Sequence, residues 1–98
     1  MSRFYYSDTI SNFLKASSQE IIGHLTENSE FAVETTQKDA WLGQIAILKP
    51  LLAVIDGTIF FEYNIPRMGR RIDTVLIINN VIFVLEFKVG EKEFNQAA

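Results

Sequence analysis

Two carboxylates and a lysine in the last third of the chain could do chemistry: Asp73, Glu86 and Lys88. The segments that carry them predict two strands joined at Asn79-Asn80, a pair typical of a tight hairpin turn. With a two- or four-residue loop Asp73 faces Glu86 directly, whereas a three-residue loop slips the register by one and separates them. Facing carboxylates repel one another, and a divalent cation with oxygen ligands would offset that repulsion.

Lys88 lies two residues beyond Glu86 on the same strand, so both side chains point to one face. The lysine there could orient or deprotonate an attacking water, or stabilise negative charge on a phosphate. The predicted register also brings Arg71 to that face. A salt-bridged cluster in which Lys88 and Arg71 neutralise Asp73 and Glu86 is therefore the alternative interpretation, and the spacing leaves both open.

The elements that must position these side chains follow from hydrophobic periodicity. Helices are expected at Tyr5–Leu14, at about Ser18–Thr26 and, with Thr36 as its cap, from Thr36 to a stop at Asp56-Gly57. A further helix is expected to open at Glu91. Strands are expected at Thr58–Ile65, Arg71–Ile78 and Val81–Lys88. Ser17 and Glu20 have the spacing of a capping box at the start of the second helix. The sequence thus predicts an α/β (α+β) fold, with N-terminal helices followed by a three-stranded antiparallel meander. Because the second hairpin is apolar on both faces, it is expected to be covered on both sides.

Composition narrows the class of protein. A chain of 98 residues is expected to form one domain, and zero cysteines exclude disulfides and cysteine-ligated zinc. Its apolar runs are far shorter than the roughly 20 residues of a membrane span, so we expect a cytoplasmic protein without a membrane partner. The net charge of −3 argues against nucleic acid, but residues 66–98 carry five Lys/Arg against four Asp/Glu.

The motif Arg71-Ile72-Asp73, followed after twelve residues by Glu86-Phe87-Lys88 on a hairpin, resembles the PD-(D/E)XK nuclease superfamily. More closely, residues 62–73 and 83–90 look like the nuclease-related N-terminal region of large bacterial ATPase/helicase-like proteins. The resemblance covers about residues 36–98, which would form the nuclease-like core, and leaves 1–35 as a helical extension. It departs from the family at Ile72, where a proline is common. The family's last core helix and strand would lie beyond Ala98, so the chain is expected to be a truncated restriction-endonuclease-like core.

The resemblance implies that Asp73, Glu86 and the carbonyl of Phe87 bind Mg²⁺ (or Mn²⁺), with Lys88 as the catalytic lysine. It implies hydrolysis of DNA in a bacterial DNA-processing or phage-defence protein, with an ATPase or helicase domain in the parent chain. Glu62 becomes a further ligand if the first hairpin has a four-residue loop; a five-residue loop turns it away. A non-catalytic nucleic-acid-binding or protein-interaction module, and an inactive fragment, are the alternatives.

The remaining candidates concern partners. Cations near the site could meet phosphates, or could simply be solvated turn charges; they are Arg67, Arg70, Arg71 and Lys92. Exposed sheet edges could drive self-association. Glu34, before the third helix, could complete the site, although no spacing argument supports it. His24 and Trp41 are expected to be structural.

Overall fold

The computed structural model describes residues 3–88. Most of the helical structure lies before Gly57, and the apolar periodicity changes from helical to strand-forming at that residue. Within this range the fold is α+β, with three helices and four strands. The helices are α1 (Ile10–Lys15), α2 (Ser18–Asn28) and α3 (Thr35–Leu51); the strands are β1 (Tyr6–Thr9), β2 (Thr58–Ile65), β3 (Arg70–Ile78) and β4 (Val81–Leu85). A helix predicted from Glu91 onward lies outside the described residues.

The helix boundaries follow local chemistry. The capping box of α2 is confirmed, because the Ser17 hydroxyl accepts from the amide of Glu20 at 3.1 Å and the Glu20 carboxylate accepts from that of Ser17 at 2.9 Å. The predicted cap at Thr36 is wrong. Glu34 is the N-cap of α3, and it makes no capping hydrogen bond through its side chain. Pro50 lies one residue before the end of α3, where its ring helps to stop the helix.

The prediction of three strands is wrong, because a fourth strand lies in the segment expected to be helical. β1 pairs antiparallel with β2, from Tyr6 opposite Phe61 to Thr9 opposite Thr58. The apolar spacing of Tyr6 and Ile10 predicts a single helix, but it spans a strand followed by α1. Thr9 ends the strand and caps α1, since its hydroxyl accepts from the amide of Asn12 at 3.0 Å.

The sheet has the strand order β1-β2-β3-β4, and one of its faces carries the core. The helices pack on that face. The core between helices and sheet includes the fully buried side chains of Phe13, Leu25, Trp41, Ile45, Leu48, Ile59 and Phe61. Across residues 3–88 no helix has the length and apolar character to cross a membrane.

The expectation that both faces of the second hairpin are covered is wrong for residues 3–88. The β4 side chains Ile82 and Val84 are 65% and 56% exposed, because β4 is the edge strand and the helices pack on the other face. Self-association along this edge stays a prediction.

Candidate functional site

The β3–β4 hairpin has the two-residue turn that brings Asp73 level with Glu86. The Asn79-Asn80 turn has φ of 52° and 67°, as a turn with two left-handed central residues requires. The predicted register is confirmed by the pairs down to Thr74 opposite Leu85. The next pair in this register is Asp73 with Glu86, just past the end of β4.

Asp73 is tied to the segment that follows β4. Its Oδ2 accepts a hydrogen bond from the amide of Phe87 at 2.8 Å. Its neighbour Thr74 is fully buried and donates through its hydroxyl to the Gln44 side-chain oxygen of α3 at 3.2 Å. Because β3 is anchored on one side by α3 and on the other by the Phe87 amide, the Asp73 carboxylate has a defined place.

The β2–β3 hairpin settles the open alternative for Glu62. Its register pairs Phe61 with Thr74 and Tyr63 with Ile72, so Glu62 lies level with Asp73, but the two residues do not themselves form a ladder pair. This is the arrangement predicted for the four-residue loop. Glu62 on β2 and Asp73 on β3 therefore lie at one level of the sheet, with Glu86 at the same level just past the end of β4.

Glu62 has a strained backbone. Its φ is +58°, a left-handed conformation within a strand, which costs a non-glycine residue on the order of 1–2 kcal/mol. The kink interrupts the alternation of side chains, since the rings of Phe60 and Tyr63 lie on one face with centroids 5.7 Å apart. The Glu62 carboxylate instead points to the helix-covered face.

Two side chains hold Glu62 there. The indole Nε1 of Trp41 donates to Glu62 Oε2 at 3.2 Å. The Arg71 guanidinium donates through Nη1 to the Glu62 carbonyl at 2.8 Å. The helical spacing of Trp41 predicts a structural role, and its ring is indeed buried, but its polar N–H belongs to the site. A buried tryptophan usually finds a partner for this N–H, and that is the signal the sequence offers.

The charge around Glu62 is unbalanced. Burial raises the pKa of its carboxyl, and the negative charges of Asp73 and Glu86 raise it further. The hydrogen bond from Trp41 and the positive charge of Arg71 act in the opposite direction. The negative charges of Asp73 and Glu86 therefore act on Glu62 through space.

The salt-bridged alternative is not what residues 3–88 form. Their salt bridge joins Arg71 to Glu30, with Nη2 and Oε1 3.4 Å apart. The Arg71 guanidinium also lies over the Tyr5 ring, 4.1 Å from its centroid. Arg71 is thus engaged by protein groups, whereas Lys88 is exposed and forms no salt bridge with a described residue.

A cleft of about 430 Å³ opens on the helix-covered side of Glu62, and its lining does not include Asp73, Glu86 or Lys88. Glu62, Arg71 and Trp41 line it together with Glu34 at the start of α3. The structure thus brings Glu34 to the cleft, which no spacing in the sequence could indicate. His24 instead contacts the Tyr6 ring, with centroids 6.0 Å apart.

The other cations are distributed unevenly. Arg67 and Arg70 are exposed at the β2–β3 turn, where Arg67 has a φ of +76°. Lys92 lies outside the described residues. Of the four predicted phosphate contacts, Arg67 and Arg70 are thus the ones exposed to solvent in the described structure.

Comparisons with protein-family models, curated proteins and solved structures find no match. The site must therefore be interpreted from its own chemistry.

That chemistry fits a hard divalent cation in ligand type. Carboxylate oxygens of Asp73, Glu62 and Glu86 and the carbonyl of Phe87 are the donors that Mg²⁺ prefers. Within residues 3–88, however, no three His, Cys, Asp or Glu side chains are already arranged to hold a metal ion. Mg²⁺ needs fewer, because it keeps several waters and takes one or two carboxylates plus substrate phosphate oxygens.

Glu62→Gln is expected to raise stability at neutral pH. The raised pKa means that folding favours the protonated acid. The stabilisation is present below the ordinary value of 4.5 and is lost as pH rises through the higher folded value. Glutamine removes this loss and still accepts from Trp41. Urea unfolding in chelator from pH 4 to 7 should give a higher midpoint for Glu62→Gln at pH 7 and a shallower pH dependence. Glu27→Gln, at an exposed position, is the control, and equal midpoints at pH 7 for wild type and Glu62→Gln would contradict the assignment.

Proposed function

We propose that the chain carries the site of a Mg²⁺-dependent nuclease that hydrolyses phosphodiester bonds in DNA. What supports this is that Glu62 on β2, Asp73 on β3 and Glu86 just past β4 lie at one level of the sheet. The charges of Asp73 and Glu86 raise the pKa of Glu62, and none of the three acids forms a salt bridge among residues 3–88. Lys88 follows two residues later. A PD-(D/E)XK-type, restriction-endonuclease-like core with Asp73, Glu86 and Lys88 as catalytic residues belongs to the same proposal.

Each residue has a role that suits its environment. Asp73, Glu86, the Phe87 carbonyl and Glu62 would hold Mg²⁺ (or Mn²⁺), which when bound supplies an activated water and neutralises charge on the phosphate. Lys88 is exposed and unpaired within residues 3–88, so its ammonium can approach the scissile phosphate and stabilise its charge. Arg67 and Arg70 would contact flanking phosphates, which position DNA without reading its sequence.

A non-catalytic nucleic-acid-binding module is the second candidate. The observation in its favour is that no three acidic or His side chains in the described part of the chain already converge on a metal position. Calorimetric titration with Mn²⁺ separates the two. The nuclease proposal requires binding that Asp73→Ala abolishes, whereas a binding module requires none.

Lys88→Ala is expected to lower the rate of Mg²⁺-dependent DNA cleavage about 100-fold or more, because it removes a positive charge from the transition state. The assay is nicking of supercoiled plasmid by the whole chain with Mg²⁺ or with chelator. Lys38→Ala removes an exposed lysine of α3 and should cleave at the wild-type rate. Unimpaired cleavage by Lys88→Ala, or cleavage that persists in chelator, would exclude the proposed mechanism.

A further inference from the structure

We infer that Trp41 and Arg71 are positioning residues that hold Glu62 turned toward the helix-covered face and the cleft. The inference rests on the proposed function for its consequence in catalysis, but the contacts themselves stand without it. It gives Arg71 a role different from the phosphate contact that its position in sequence suggests.

The first step is where Glu62 would point without support. In a regular strand, side chains alternate, so a residue after the buried Phe61 points to the opposite face. That face carries Phe60 and Val75 and has no helix layer among residues 3–88. An extended Glu62 would therefore leave the cleft. Its left-handed φ of +58° turns it back to the helix-covered face.

The second step is that the two contacts hold different parts of Glu62. Trp41 binds its carboxylate, from a ring only 1% exposed on the 17-residue α3. Arg71 binds its carbonyl, at a level of the β2–β3 ladder where regular pairing is interrupted. Side chain and backbone are thus fixed independently, as a residue in a costly conformation requires.

The third step is that Arg71 is itself fixed. Its guanidinium lies on the Tyr5 ring and its Nη2 faces the Glu30 carboxylate. The Glu30 amide in turn donates to the Tyr5 hydroxyl at 3.1 Å. These contacts among Tyr5, Glu30 and Arg71 connect the loop before α3 to the strained backbone of Glu62. They also restrain the Arg71 side chain, which therefore has little freedom to move toward a phosphate.

The test begins with metal-free protein, because Trp41 is the single tryptophan of the chain. Its indole ¹H–¹⁵N resonance reports the hydrogen bond to Glu62. Arg71 bonds the Glu62 carbonyl whereas Trp41 bonds the Glu62 carboxylate, yet we expect Arg71→Met to move this resonance in the same direction as Glu62→Gln does. Arg71→Lys, which keeps the charge, should restore part of the shift. Arg70→Met, at the exposed neighbouring arginine, should leave the resonance in place. An unmoved resonance in Arg71→Met would overturn the inference.

The second measurement is Mn²⁺ affinity by calorimetry, without DNA. Trp41→Phe keeps an aromatic ring and loses the N–H, and both it and Arg71→Met are expected to weaken Mn²⁺ binding about 10-fold or more. Circular dichroism must first show that each variant is folded. A moved resonance with wild-type Mn²⁺ affinity would overturn the positioning role. If wild-type protein binds no Mn²⁺, the proposed function fails and the role at the metal fails with it, whereas the resonance still judges the placement of Glu62.

Discussion

Gly57→Ala is expected to destabilise the protein by about 3 kcal/mol or more. A methyl group at Gly57 would overlap the carbonyl oxygen of Ile77 on β3 and would also crowd the side chains of Ile78 and Ile10 at 3.2 and 3.3 Å. The φ of +153° is itself rare for a residue with a side chain. The overlapping atom belongs to the backbone of a paired strand, so it cannot move away as a side-chain tip can. The loss is large against the roughly 5–15 kcal/mol of a small domain.

Gly57 also links the start of β2 to α1, since its carbonyl accepts a hydrogen bond from the amide of Ile10 at 2.8 Å. A shift at Gly57 would therefore disturb α1 as well as β2. Gly23→Ala is the matched control, because no atom lies within 4 Å of the added methyl on an exposed position of α2. It should stabilise by roughly 0.5–1 kcal/mol through helix propensity. Urea unfolding followed by Trp41 fluorescence measures both, and equal midpoints for Gly57→Ala and wild type would refute the packing argument.

Features set by local chemistry could be predicted from the sequence. The Ser17–Glu20 capping box needs residues three apart, and the Asn79-Asn80 turn needs two residues that tolerate positive φ. From that turn the register of the β3–β4 hairpin follows by counting. The position of Asp73 level with Glu86 is therefore predictable from the turn alone.

Features set by distant parts of the chain could not be predicted. β1 forms because the edge of β2 offers backbone partners to residues whose spacing also suits a helix. The kink at Glu62 depends on Trp41, which is 21 residues away, and on the Arg71 guanidinium. The exposure of β4 depends on which elements cover the sheet. Sequence periodicity carries no information about any of these.

The charge of Asp73 accounts for the second large effect that we expect. Asp73→Asn should reduce Mg²⁺-dependent DNA cleavage on the order of 1,000-fold or more, as removal of a central catalytic group does. The substitution is nearly isosteric, and the amide oxygen can still accept from the Phe87 amide, as Oδ2 does at 2.8 Å. The loss would therefore come from the missing negative charge and not from a broken hairpin.

The free energy of unfolding of Asp73→Asn distinguishes loss of the charge from loss of the fold as the cause of inactivity. The charge of Asp73 raises the pKa of Glu62, so Asp73→Asn should bring that pKa closer to its ordinary value. Less of the stability is then lost as pH rises through the folded pKa of Glu62, and the variant should be at least as stable as wild type at pH 7. Plasmid nicking and urea unfolding on the same preparation test both halves, with Glu27→Gln as the exposed acidic control. An Asp73→Asn variant that is inactive and unfolded would show that the carboxylate is structural. A variant that is folded and still active would show that Asp73 is not part of the site, because a metal-dependent hydrolysis centred on these acids cannot proceed without the charge of the middle one.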